Sequence, residues 1–329
     1  MAGNTVSSTS TLAAGIRAEF ADTYARSYAG IQERNSSIAE FIPSDKRTET
    51  FAYYESAPHW AAWRDGETIR SKPFKDKSWS ITNKSYGIRT EWNRDDRRDD
   101  QTKSLLTRVR DAASSGALLH ERILFQMMLG STDTDLLASV PNAADGAALY
   151  SASARFGHAD GNILSGGGVA SAAAVSADYF TVMARLALFQ DTEGQPLWDP
   201  SVLEAGTTIY FGTANEKVFT EAFLSAIHSI GANTATSNAG ISNIIQAGAK
   251  KVTLVPTPRI TDNDWFVFLK NPTRKPFVVL ERDPVVEKIV MFDDSMDGGV
   301  LSTKVEFAQW DARYGYGIAT PYATVKVNN

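Results

Sequence analysis

The stretch KSWSITNKSYGIRTEWNRDDRRDD, residues 77–100, changes character along its length. It opens as an alternation of apolar and polar residues, the period of a half-buried strand. Trp79 and Ile81 share one phase, while Tyr86, Ile88, Thr90 and Trp92 share the other. The phase breaks at Thr82–Ser85, which predicts a bulge or a turn there. The stretch closes on a dense mixture of Arg and Asp. Upstream, residues 46–94 carry few helix signals and many aromatics: Phe51, Tyr53, Tyr54, Trp60, Trp63, Phe74, Trp79, Tyr86 and Trp92. The whole region reads as an extended, strand-and-turn excursion.

On either side the period becomes helical. Leu12, Ile16, Phe20, Tyr24 and Tyr28 recur every fourth residue and form one stripe, with Ser10 or Thr11 as candidate caps. The stripe fits core packing and equally an arm that docks on another chain. From about Asp95 to Gly130, Leu105, Leu106, Val109, Ala112, Ala113, Ala117, Leu118, Ile123, Leu124, Met127 and Met128 fit a long amphipathic helix. Thirty such residues span roughly 45 Å, the length of a structural spine. Asp95, Asp96, Asp99 and Asp100 sit where the helix dipole favours negative charge. The mixed charges Arg89, Glu91, Arg94, Asp95, Asp96, Arg97, Arg98, Asp99 and Asp100 are either a solvated helix start or a patch that sets how a neighbour docks.

The remainder reads as α+β. Residues 131–175 are a connection rich in Ala, Gly and Ser; Ser176 is the expected N-cap of a helix through about Gln190. TTIYFG, KKVTLVP, DWFVFL, KPFVVLE, EKIVMFDDS and the segment from TKVEF to the end read as strands, and TANEKVFTEAFLSAI as a helix. Strands and helices do not alternate strictly, so antiparallel sheets with a few helices are expected rather than a doubly wound sheet.

Composition narrows the function. The chain has 329 residues and no cysteine, which rules out disulfides and Cys-based zinc sites. The start lacks the basic and apolar regions of a signal peptide, and no apolar run approaches ~20 residues; a cytoplasmic setting is expected. The net charge of -5 and the lack of a Lys/Arg block argue against tight nucleic-acid binding. No phosphate-binding loop follows the GGG at 166–168, and no nucleophile elbow exists. His59, His120, His158 and His228 are scattered; His158 with Asp160 is a weak metal pair, and Asp293 with Asp294 a poor acid–base pair. No catalytic residue and no cofactor are assigned. A metal-dependent hydrolase built on His158 and Asp160 is the competing class.

A long two-stranded ribbon is marginal alone in water, and exposed Trp and Tyr make a patch that monomers seldom carry. Ribbon, aromatic stripe, charge cluster and spine helix together suggest an assembly subunit. Their order resembles the major capsid protein of tailed phages with the Hong Kong 97-like fold, and especially the Mu-like major head protein family. The segments that carry the resemblance are YYESAPHWAAWRDG (53–66), ITNKSYGIRTEWNRDD (81–96), DGAALYSASARFGHADG (145–161), QDTEGQPLWDPSVL (190–203), TANEKVFTEAF (213–223), KPFVVLERDP (275–284) and DARYGYGIATPY (311–322).

The resemblance implies an N-terminal arm (1–45), an extended β-hairpin loop over an adjacent subunit (46–94), a peripheral domain (95–172 with return strands 284–318) and an axial domain (173–283 with the last strand, 319–329). It implies a non-enzymatic subunit of hexamers and pentamers in an icosahedral head that encloses double-stranded DNA. It places the protein in the virion capsid, assembled in the host cytoplasm, without a membrane. Separate scaffold and portal proteins, and a decoration protein in some cases, are the implied partners. Lys72, Lys75, Lys77 and Lys84 lie in the loop, but no catalytic Glu is evident for them, so no crosslinking is expected. The expected contacts between copies are Phe20, Tyr24, Trp60, Trp63, Trp79, Ile81, Tyr86, Ile88, Trp92, Arg94, Asp96, Arg97, Arg98 and Asp99. A tail tube or decoration protein is the other phage component weighed, though those lack a spine helix between a loop and an α+β domain.

Overall fold

The computed structural model describes residues 9–56, 75–93, 104–191, 193–223, 227–228, 241–242, 251–283, 289–292 and 305–329. The aromatic stripe of the first segment forms α1 (Thr9–Asn35). Ser10 and Thr11 therefore lie inside the helix rather than at its cap. Residues 104–129 form α2 (Ser104–Leu129), the spine. Ile16, Phe20 and Tyr24 of α1 are buried, as are Ala112, Ala113 and Ala117 of α2. Small residues let the two helices approach: a Cβ on Gly116 would stand 3.7 Å from the Tyr24 ring. Of the two readings of the stripe, the structure selects core packing.

Beneath these helices lies a five-stranded sheet. Its strands are β1 (Ala39–Pro43), β4 (Lys84–Asn93), β11 (Phe277–Asp283), β12 (Ile289–Phe292) and β13 (Val305–Ile318). β13 is the longest and organises the rest. One edge of β13 pairs antiparallel with β4 from Val305 to Tyr314; the other pairs with β12 and then β11. β1 adds in parallel to the far side of β11.

The ribbon is thus built differently from the sequence expectation. β2 (Thr48–Ser56) and β3 (Lys75–Thr82) form the two-stranded ribbon, paired antiparallel with Phe51 opposite Trp79. At Asn83 the chain leaves the ribbon and continues as β4 in the five-stranded sheet. The phase break at 82–85 is a change of sheet, neither a bulge nor a turn.

A second sheet runs β5 (Ile163–Ser165), β14 (Thr324–Asn328), β10 (Trp265–Leu269), β6 (Thr207–Gly212) and β9 (Val252–Thr257). The short β7 (Ile227–His228) and β8 (Ile241–Ser242) pair with each other. All five residues of β10 are buried, because the sheet is covered on both faces. Phe266 and Phe268 join the core beneath α1 and α2; Trp265, Val267 and Leu269 face a second core. That second core is closed by α3 (Ala172–Leu188) and α5 (Glu216–Phe223), with the short α4 (Pro200–Glu204) nearby. Ser171, not Ser176, caps α3, accepting from the Ala174 N–H at 3.2 Å. Ser176 is buried inside the helix.

The span 173–283, expected to fold as one unit, is shared between the sheets: β11 lies in the first, and β6, β9 and β10 lie in the second. Likewise residues 1–45 are no free arm within the described residues, since α1 caps the first core and β1 extends its sheet. Ionic and polar links join the layers. Glu121 of α2 pairs with Arg34 of α1 at 3.1 Å and with Arg259, beyond β9, at 3.2 Å. Buried Asn162 donates to the carbonyls of Leu149 and Pro321 at 2.8 and 3.1 Å, and accepts from the Ser151 N–H at 3.0 Å.

Candidate functional site

The ribbon is rooted on the first sheet by a glycine socket. Along β13 the sequence Tyr314-Gly315-Tyr316-Gly317 puts tyrosines on one face and glycines on the other. The tyrosines turn into the core. The glycines leave a flat strip on which the root of the ribbon lies. A Cβ on Gly317 would stand 2.6 Å from Ile81 Cδ1 and 2.8 Å from the Trp79 ring; one on Gly315 would stand 2.9 Å from Ile81 Cγ2 and 2.7 Å from Asn83 Oδ1. Ile81, Val278, Leu280 and Ala319 form a small core of their own, with Ile42, Phe51 and Trp79 against it.

Polar groups fix the same junction. The Asn83 backbone N–H donates to Arg47 O at 2.9 Å. Its side-chain amide donates to Ser44 Oγ at 3.1 Å and to Lys46 O at 2.7 Å. Ser44 in turn donates to Glu49 Oε1 at 3.1 Å. Arg274 reaches across to donate to Ala52 O at 3.0 Å. Phe51 and Trp79 stack at 5.3 Å and wall a cavity of about 320 Å³ with Ile42 and Arg274.

Behind the socket lies a buried knot. Tyr24 and Tyr314 share a hydroxyl–hydroxyl hydrogen bond of 2.8 Å, and Tyr316 OH meets His120 Nδ1 at 3.0 Å. Phe20 stacks on Trp310 at 4.3 Å. Burial pushes the His120 pKa down to about 3, so the ring is neutral, and lifts the Tyr86 hydroxyl to about 12. Tyr28 donates to Glu281, whose carboxyl burial pushes above its ordinary value. The Tyr24, Tyr314, Tyr316 and His120 side chains are hydrogen-bonded to one another in the interior and form no open reactive site.

The structure sorts the expected contact residues into three groups. Phe20, Tyr24 and Trp92 are buried in the chain's own first core, with Tyr86 and Ile88 packed against it. Phe20 and Tyr24, at 0% and 2% exposure, have almost no surface to offer a neighbour and pack the chain's own core, while Tyr86 and Ile88 keep part of theirs. Trp79 and Ile81 form the ribbon root. Trp60, Trp63, Arg94, Asp96, Arg97, Arg98 and Asp99 lie outside the described residues. Of the charge cluster, Arg89 and Glu91 are described; they pair at 2.7 Å with both side chains half exposed, while the Arg89 guanidinium covers the Phe307 ring at 3.6 Å. That is the solvated reading, worth ~0–1 kcal/mol. Sequence reasoning missed Gly315, Gly317, Asn83, Ser44 and Arg274. The alternation of Tyr and Gly along 314–317 was the available signal.

The hydrolase alternative finds its residues otherwise engaged. His158 Nδ1 accepts from the Asp160 N–H at 3.3 Å, and the Asp160 carboxylate pairs with Arg185 at 3.5 Å. Among the described residues no group of three or more His, Asp and Glu side chains is placed to hold a metal, and no helix is long and apolar enough to cross a membrane.

Comparison with known proteins gives the family. The family model for phage capsid protein matches residues 80–327, and that for the Mu-like prophage major head subunit gpT matches residues 11–136. Among solved structures, the mature capsid of bacteriophage PhiM1 is 11% identical over 90% of this chain and 86% of that chain, with a TM-score of 0.53. A chain from Microbacterium phage Oxtober96 is 11% identical over 89% of each, with a TM-score of 0.51. The capsid structure of cyanophage P-SCSP1u is 11% identical over 88% of this chain and 85% of that chain, with a TM-score of 0.50. At such identity the likeness is one of fold, the mixed α+β Hong Kong 97-like fold. No curated protein matches the chain in sequence. With nearly all of its second sheet, the whole of α2 and both socket glycines inside the span matched by the phage capsid protein model, the chain belongs to the phage capsid protein family.

Proposed function

We propose that this subunit assembles into hexamers and pentamers that close an icosahedral head around double-stranded DNA. The role that the family implies is structural. The observation that carries the finer reading is the ribbon. Within the described residues β2 and β3 pair only with each other, and a two-stranded ribbon is marginal in water without support. Its root is locked to the body, and a sister copy would supply support beyond the root. Trp60 and Trp63 lie in the ribbon's connecting segment by sequence and are proposed as contacts there. Arg94, Asp96, Arg97, Arg98 and Asp99 are proposed to set register between copies. Such contacts are heterologous, and rotation about local axes closes them into rings.

The division into arm, loop, peripheral and axial parts is proposed with two changes: residues 9–43 belong with the spine helix, and β11 with the sheet of β13. The net charge of -5 suits a wall that holds DNA without gripping it. Scaffold and portal are proposed as separate proteins. Negative-stain microscopy of the purified chain tests the reading. Closed particles of uniform size support it; a protein that stays monomeric at every concentration overturns it.

A further inference from the structure

At one end of the second sheet two lysines stand on either side of a glycine. Leu269 of β10 pairs with Thr207 of β6, and Thr207 pairs with Val252 of β9. One residue further out, the row across the three strands is Lys270, Gly206 and Lys251. Backbone hydrogen bonds hold it: the Lys270 N–H donates to Gly206 O at 3.1 Å, and the Thr207 N–H donates to Lys251 O at 3.1 Å. Alternation along each strand names the face. Phe268 lies in the first core and Val255 packs against it. Lys270 and Lys251, two and four residues away, share that side.

No side chain stands between them. Gly206 has a φ of 96°, and a Cβ there would meet Lys251 O at 2.0 Å, so the position takes only glycine. Neighbouring strands lie about 4.8 Å apart, which sets the two lysine Cα atoms roughly 10 Å apart. Two flexible four-carbon stems can converge across that gap.

Their charges are unanswered. Among the described residues neither ammonium group is in an ion pair, and Glu204, at the end of α4 and two residues before Gly206, is exposed and pairs with neither. Lys251 is exposed and Lys270 is partly buried. Burial first, and the Lys251 charge second, lower the Lys270 pKa from its ordinary value. A partly desolvated ammonium beside a like charge is an unfavourable arrangement, and an anion seated between the two relieves both causes.

The number of charges narrows the anion. A carboxylate brings one negative charge and leaves one lysine unanswered. A terminal phosphate brings nearly two at neutral pH, and two neighbouring phosphodiesters of a nucleic-acid strand also bring two. Lysine meets phosphate as a point charge and needs no planar fork to do so. The geometry points to a phosphate-binding site, in which the Lys251 and Lys270 ammonium groups close on phosphate oxygens across Gly206. The phosphate is either free or part of a nucleic-acid backbone, and both present the same oxyanion. The site is local in a chain of net charge -5, so its hold on duplex DNA is weak and salt-dependent. It goes beyond the shell reading and does not depend on it.

The test uses the full unassembled chain and the double variant Lys251→Gln, Lys270→Gln. Inorganic phosphate is titrated at constant ionic strength and followed by phosphorus NMR. Duplex DNA is titrated by fluorescence anisotropy at several salt concentrations. The expected result is saturable phosphate binding by the unchanged chain, weakened at least about tenfold in the double variant, as loss of about 1.4 kcal/mol gives. Reductive methylation of the unchanged chain, read by mass spectrometry, should be slowed by phosphate at Lys251 and Lys270 but not at Lys217, whose side chain is 88% exposed; this decides the matter even if the double variant misfolds. A salt slope for duplex DNA smaller by about 2 in the double variant supports the site and makes its phosphate that of a nucleic-acid backbone. An unchanged slope with phosphate binding lost supports the site and makes its phosphate a free one. No saturable phosphate binding together with an unchanged slope, or equal phosphate binding by the double variant, overturns the site. Protection of both lysines by polyglutamate and not by phosphate overturns it in favour of an acidic protein surface.

Discussion

Ile81 occupies the space that a side chain on Gly317 would need: a Cβ there would come within 2.6 Å of Ile81 Cδ1. Strand β13 is therefore bare at Gly315 and Gly317, where the root of the ribbon lies flush on it. Replacing Gly317 with Val should push Ile81 and Trp79 off the sheet. The expected cost is about 1–3 kcal/mol, the range for overpacking, measured by urea unfolding of the unassembled subunit. A second change, Ile81→Ala, should recover part of the loss by vacating the clash; a double variant no better than Gly317→Val alone would mean that the glycine serves some other purpose.

The neutral, buried His120 makes the fold sensitive to acid. Its pKa is about 3 when folded against an ordinary 6.5, so below pH 6.5 the unfolded chain binds a proton that the native chain refuses. Its contribution is complete above pH 6.5 and is lost as pH falls toward 3. Between pH 6.5 and 5 this amounts to about 2 kcal/mol. Glu281, raised by burial, works in the opposite sense nearer the carboxylate range, so the upper part of the window is the clean one. Unfolding free energies at pH 7, 6 and 5 should decline accordingly, and His120→Phe should flatten the decline in the upper part of that range.

Asn162 holds the connection between the spine and the second sheet through the Leu149 and Pro321 carbonyls and the Ser151 N–H. Ala at this position takes away this partner from the Pro321 carbonyl and the Ser151 N–H, each worth ~1–3 kcal/mol, while the Leu149 carbonyl keeps Arg155, which donates to it at 3.0 Å. Asn162→Ala should therefore lower stability by about 3 kcal/mol, seen as an earlier thermal midpoint. A midpoint equal to that of the unchanged chain would show that the Pro321 carbonyl and the Ser151 N–H do not depend on this side chain.

How far these features were legible in the sequence depends on their range. α2 was visible because Leu105 to Met128 repeat a helical period without interruption. β10 was visible because WFVFL is apolar throughout. The partner of β4 was not: the alternation of Tyr86, Ile88 and Trp92 says that one face is buried but not that Ala312, Trp310 and Glu306 lie opposite them, far down the chain. The Tyr24–Tyr314 bond joins residues 290 apart. The stripe of α1 could not by itself choose between the chain's own core and a neighbour's surface, because both reward the same apolar period. Ser176 looked like a cap, but Ser171, more than a turn earlier, has the extended backbone at φ -145° that lets its oxygen reach Ala174.

The ribbon carries the central claim, and shortening it tests that claim without disturbing the root. Ala52 faces Ser78 in the β2–β3 register, so the two can be joined by an Asn-Gly turn that keeps Phe51, Trp79, Ile81 and all of β4. Electron microscopy of this variant beside the unchanged chain is the direct measurement. The account predicts closed shells from the unchanged chain and a folded, unassembled subunit from the shortened one. Normal shells from the shortened chain would contradict it.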